Sequence, residues 1–117
     1  PAGFEVVFSP APLAAIQTAT VKASVQAPIL YAGETQMIHA KALAAGQPIA
    51  GIVMTAELTF EGVPERVDLG KTALDGAIHA PLAGWAWQPG QWVELTISAY
   101  NGSNEPIGQT ILRFRQW

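Results

Sequence analysis

The chain has no cysteine. That excludes a disulfide framework, a thiolate metal centre and a cysteine nucleophile. Charge is scarce, with 13% of the 117 residues being Asp, Glu, Lys or Arg. Six Lys and Arg against nine Asp and Glu leave a net charge of −3, and the basic residues are scattered. No basic patch is available to track a phosphate backbone, which argues against a nucleic-acid partner. No apolar run approaches the ~18 residues that span a bilayer as a helix, so no membrane insertion is expected of this segment. Motifs of catalysis and metal binding are missing as well: there is no Gly-x-Ser-x-Gly, no His-Glu-x-x-His and no Asp-x-Asp-x-Asp-Gly loop. A start at Pro1 with no charged and apolar leader reads as a segment of a longer or processed chain.

What is present is apolar and alternating. Half of the residues are hydrophobic, enough for the core of one domain and too many for disorder. In "ATVKASVQA", Val21, Ala23 and Val25 share one face and Lys22, Ser24 and Gln26 the other. That is the period of a half-buried strand. Ile38, Ala40 and Ala42 alternate with His39 and Lys41. Ile52, Met54, Ala56, Leu58 and Phe60 alternate with Val53, Thr55, Glu57 and Thr59. "RVDLG" adds a short strand with Val67 and Leu69 inward. Ile78, Ala80 and Leu82 follow the Asp75-Gly76 turn, the strongest hairpin signal in the chain. Val93, Leu95, Ile97 and Ala99 point in, opposite Glu94, Thr96, Ser98 and Tyr100. "QTILRFRQW" forms the last strand, with Leu112 and Phe114 opposite Ile111, Arg113 and Arg115. The turn stretches "AAGQP", "EGVPE" and "NGSNEP" punctuate these runs. No helical period appears.

About seven strands with one apolar face each predict an all-β fold, an immunoglobulin-like antiparallel sandwich of two sheets. Residues 20–117 form that domain. Residues 1–19 are read as an N-terminal extra strand, "FEVVFS", followed by a Pro- and Ala-rich linker.

The turns carry a resemblance. Gly46, Pro48, Ile49 and Gly51 outline one; Thr72, Asp75 and Gly76 a second; Gly90 and Trp92 lead into a strand. Over about residues 20–116 this resembles the bacterial Ig-like domains of invasin- and intimin-type surface proteins. Fibronectin type III, macroglobulin-like and YtkA-like sandwiches share the same turns. The resemblance implies a non-catalytic structural or adhesion module of a larger secreted or cell-surface bacterial protein. Such a module acts as a spacer and protein-protein contact domain. Its expected partners are neighbouring domains of the same chain, with protein or polysaccharide at the cell surface. It implies no catalytic residues, no cofactor and no metal.

Candidate contact residues remain. "GWAWQPGQW" holds Trp85, Trp87 and Trp92, three of the four tryptophans. Coplanar exposed rings would make a sugar platform, so a carbohydrate-binding module is the alternative function. The Pro-Gly turn makes the same stretch a corner of the sandwich. Alternation puts Trp92 outside, and corner geometry would pull it in. Tyr100, Asn101 and Asn104 lie in or beside a loop suited to recognition, since loops on a rigid sandwich often carry binding. His39 and His79 fall on outward faces and read as solvent-facing. Glu34, Glu65 and Asp68 are the acids near loop ends that tandem domains would use for weak calcium contact. Arg113 and Arg115 read as guards of an edge strand or as partners for a neighbouring domain's acids.

Overall fold

The computed structural model describes residues 16–31, 33–60, 63–82 and 90–117. The expected strand at 4–8 therefore lies outside the described residues. Nine strands are present among those described. They are β1 (Thr20–Val25), β2 (Ile29–Leu30), β3 (Gln36–Ala44), β4 (Gln47–Pro48), β5 (Val53–Phe60), β6 (Val63–Lys71), β7 (Ala77–Leu82), β8 (Trp92–Tyr100) and β9 (Pro106–Gln116). No helix accompanies them among the described residues, and none is long and apolar enough to cross a membrane.

The strands make two sheets. In the first, β3 pairs with β1 on one side and with β7 and β4 on the other. The second runs in the order β2-β9-β8-β5-β6. This is an all-β sandwich, and all pairs but one among the described residues are antiparallel. The exception is β2, which lies parallel to the end of β9.

Alternation explains the core. Val21, Ile38, Ala40, Ala42, Ile78, Ala80 and Leu82 face inward from the first sheet. Met54, Ala56, Leu58, Val93, Leu95, Ile97, Ala99 and Phe114 face them from the second. Ile38, Leu82, Leu95, Ile97 and Phe114 keep no exposed surface. Each such side chain contributes roughly 1.5–3 kcal/mol relative to exposure. Small Ala residues in both layers let the sheets approach. Thr55 breaks the pattern: it is buried although it belongs to the outer set, and it sits at the β5–β6 bulge.

Polar side chains hold the places where the chain changes sheets. Gln36 is fully buried. Its Oε1 accepts from the Ala27 N–H at 2.9 Å and its Nε2 donates to the Ala27 carbonyl at 2.7 Å. That clasp fixes the crossing from β1 to β2. Thr72 does the same elsewhere. Its hydroxyl donates to the Ile49 carbonyl at 2.6 Å and accepts from the Ile52 N–H at 3.0 Å, tying the β4–β5 crossing to the β6–β7 crossing.

Two sequence readings change. Asp75-Gly76 does make a tight turn, with Asp75 Oδ1 accepting from the Ala77 N–H at 3.0 Å. It joins β6 and β7, which belong to different sheets, so it is a crossing and no hairpin. The hairpin turn in this half is Ala45-Gly46, with φ of 50° and 79°, positive at both central positions as a type I′ turn requires. Pro64, expected in a turn, lies inside β6. β6 is an edge strand, the position in a sheet where proline is accommodated.

Two substitutions in these turns should act with opposite sign. Ala45→Asn relieves a left-handed alanine and should stabilise the domain by about 0.5–1 kcal/mol. Gly76 has φ of 76°, and a Cβ there would meet the Ala42 carbonyl at 2.8 Å and the Pro48 side chain at 2.9 Å. Gly76→Ala should therefore cost about 2–3 kcal/mol. Urea unfolding midpoints would separate the two.

Candidate functional site

The outer face of the second sheet carries the exposed aromatic surface. β8 opens on Trp92, whose Cα partner on β9 is Arg115. Arg115 is in turn paired with Ile29 on β2. The three stand in one row because β2, β9 and β8 are neighbours. Trp117 follows, anchored by its N–H to the Leu30 carbonyl at 2.9 Å.

The alternation is obeyed at the strand's first residue. Trp92 is 66% exposed and Trp117 54%, so neither ring plugs the core. The Gly90 corner does not pull Trp92 in. The Gly90 N–H donates to the Gln116 carbonyl at 2.7 Å and the Gln116 N–H to the Gln91 carbonyl at 2.9 Å. These bonds run β8's approach straight alongside β9 and keep Trp92 in phase with Glu94.

Arg115 binds the two rings together. Its guanidinium carbon lies 6.0 Å from the Trp92 ring centroid and 4.8 Å from that of Trp117. Its Nε is buried and, among the described residues, has no acceptor. The attraction of a cation for two ring faces substitutes for a hydrogen bond there. Ile29 and Tyr31 extend the apolar area, both being exposed. One row further on, Arg113 pairs with Glu94 at 2.8 Å. Both side chains are open to water, so this pair orients the rim and stabilises little.

The other candidates are at a distance. Tyr100 ends β8, eight residues along the strand from Trp92 at its start. At a rise of about 3.3 Å per residue that is some 26 Å away. The Arg66 guanidinium covers the Tyr100 ring at 5.0 Å. Asn101 is buried. Its Oδ1 accepts from the Ser103 and Glu105 N–H groups at 2.9 and 3.0 Å, and its Nδ2 donates to the Ile16 carbonyl at 2.8 Å. Those bonds shape the β8–β9 loop and hold the chain that leads into β1. Asn104 is exposed, with φ of 60° at the loop tip. Trp85 and Trp87 lie outside the described residues.

β2 covers the end of β9 at Arg115 and Gln116, so Arg115 does not stand on a free edge, while Arg113 lies beyond the β2 pairing and forms an ion pair with Glu94 of the same chain. Glu34 caps its own turn by accepting from the Tyr31 N–H at 2.8 Å. Glu65 and Asp68 lie on β6, at the far edge of the sheet from Glu34. Their separation leaves no shared calcium position. Among the described residues, no group of three His, Cys, Asp or Glu side chains is placed to hold a metal ion.

On the opposite sheet, β3 and β7 bring His39 and His79 side by side as Cα partners. Their Nδ1 atoms are 2.6 Å apart. The sequence placed each on an outward face, which is where they lie, but their pairing needed the strand register. Arg115 as the bridge between two tryptophans was likewise missed. The signal for it was available: Arg115 and Trp117 are two apart on one face of the last strand.

No protein-family model matches the chain, and neither does any curated protein.

Trp92→Ala should cost less than about 1 kcal/mol, because an exposed ring loses one cation–π contact. Asn101→Ala should cost about 2–3 kcal/mol, because it strands buried backbone groups at a loop. Chemical denaturation of the two variants would distinguish the surface residue from the structural one.

Proposed function

We propose that this domain is a non-catalytic, immunoglobulin-like spacer and contact module of a larger secreted or cell-surface bacterial protein. Its contact surface is the Trp92–Arg115–Trp117 cluster with Ile29 and Tyr31, and its partner there is a protein surface such as a neighbouring module. The exposed cluster is the observation that carries the reading. Tryptophan, tyrosine and arginine dominate the energetics of protein interfaces, where a rigid ring and a planar cation supply area at small entropic cost.

The geometry favours protein over polysaccharide. A sugar platform needs open, coplanar ring faces. Here the Arg115 guanidinium stands over a face of Trp92 and a face of Trp117. A cation between rings matches an interface that buries both.

Oxidative labelling read by mass spectrometry tests this. In the parent protein Trp92 and Trp117 should label several-fold more slowly than in the isolated 117-residue chain. Equal labelling in both would sink the contact reading. A saturable fluorescence change on adding polysaccharide, lost in a folded Trp92→Ala variant, would establish the carbohydrate-binding alternative in its place.

A further inference from the structure

The outer face of the first sheet holds a second constellation, independent of the tryptophan surface. β3 is central, so its side chains have neighbours on both sides. His39 lies between Ser24 of β1 and His79 of β7 in one row. Lys41 lies between Lys22 and Ala77 in the next row along. These six residues line a shallow depression of about 380 Å³.

The two imidazoles meet through one atom each. The rings are tilted 64° with centroids 4.8 Å apart, and the Nδ1 atoms converge to 2.6 Å. In the metal-free state one Nδ1 donates its hydrogen to the other, with roles set by tautomer. Two converging imidazole nitrogens are also two ligands for one ion. Neutral imidazole is the commonest protein ligand for transition metals, and here both rings are held by paired backbone.

We propose that His39 and His79 form a two-imidazole surface site for a divalent transition metal, with Cu²⁺ preferred over Zn²⁺. With metal–nitrogen bonds of about 2.0–2.1 Å, two nitrogens stand about 2.9 Å apart at a right angle and about 3.3 Å apart at a tetrahedral angle. The observed 2.6 Å is nearer the right angle. A small rotation of either ring reaches it. Tetragonal coordination of that kind is the preference of Cu²⁺ and Ni²⁺, and Cu²⁺ binds nitrogen sites most tightly of the divalent series. The open depression leaves the remaining positions to water or a small anion. Lys22 and Lys41 oppose the ion's charge, and they would favour an anion as the further ligand.

Binding needs no electron transfer and no covalent step. The hydrogen on the donor ring's Nδ1 moves through solvent to that ring's own Nε2, so both Nδ1 lone pairs face the ion, each Nε2 carries a hydrogen and no net proton is released. One ligand alone is a weak site. The second acts at high effective concentration because the strand register supplies it.

The test is a calorimetric titration of the untagged protein with Cu²⁺ near neutral pH, with electron paramagnetic resonance of the loaded sample. One Cu²⁺ per chain is expected, with nitrogen couplings from two imidazoles. His39→Gln and His79→Gln should each weaken binding by about tenfold or more. Lys41→Gln should tighten it, by removing a like charge from the next row. Both histidines are at the surface of one sheet, so the metal-free variants should keep the wild-type urea midpoint. Absence of saturable binding to the wild type, a spectrum lacking two imidazole nitrogens, or affinity unchanged by either His substitution would overturn the proposal. The wild-type spectrum decides the matter even if a variant fails to fold.

Discussion

Each sheet has one face that water excludes, and neither can bury that face alone. Ile38, Leu82, Leu95, Ile97 and Phe114 lose all their exposed surface only because the two sheets close on each other. This mutual burial is the constraint on which the rest depends. It sets the strand phase, and the strand phase then decides what each outer face presents. Trp92, Glu94 and Thr96 point to solvent because Val93, Leu95 and Ile97 must not.

Closing two sheets with one chain requires crossings between them, and crossings bury backbone that no ladder satisfies. Gln36 and Thr72 solve that problem with side chains, and Asn101 does the same for the β8–β9 loop within one sheet. Each makes at least two hydrogen bonds to backbone groups far along or just ahead in the chain. They are buried polar residues kept in place by geometry, and their partners explain why burial is tolerated. Asn101 is the instructive case. Its loop position and turn chemistry fit a recognition residue, and the same properties suit a residue that closes a loop.

The two outer faces have different chemistry. The second sheet ends in aromatic rings bridged by Arg115, with an ion pair behind them. The first sheet carries two imidazoles and two ammonium groups around a shallow depression. A surface of the first kind suits a dehydrated contact with protein, where rings and guanidinium lose water together. A surface of the second kind suits a small hydrated ion. Both rest on a scaffold whose core takes no part in either.

The all-β class, the inward residues and the outward position of Trp92 could be read from alternation, because the side-chain period of a strand is local. His39, His79, Arg113 and Arg115 were also legible as outward residues. Which of them meet was not. The pairing of His39 with His79 depends on the register between β3 and β7, forty positions apart. The sandwich of Arg115 between Trp92 and Trp117 depends on β8 lying beside β9. The destination of the Asp75-Gly76 turn depends on which sheet receives β7. A turn sequence specifies the backbone bend and says nothing of where the next strand pairs. By itself the sequence determined the faces, since burial of every second residue is written in the order of residues. Only the tertiary structure decided the neighbours, because contacts between strands are settled by the packing of the whole sandwich.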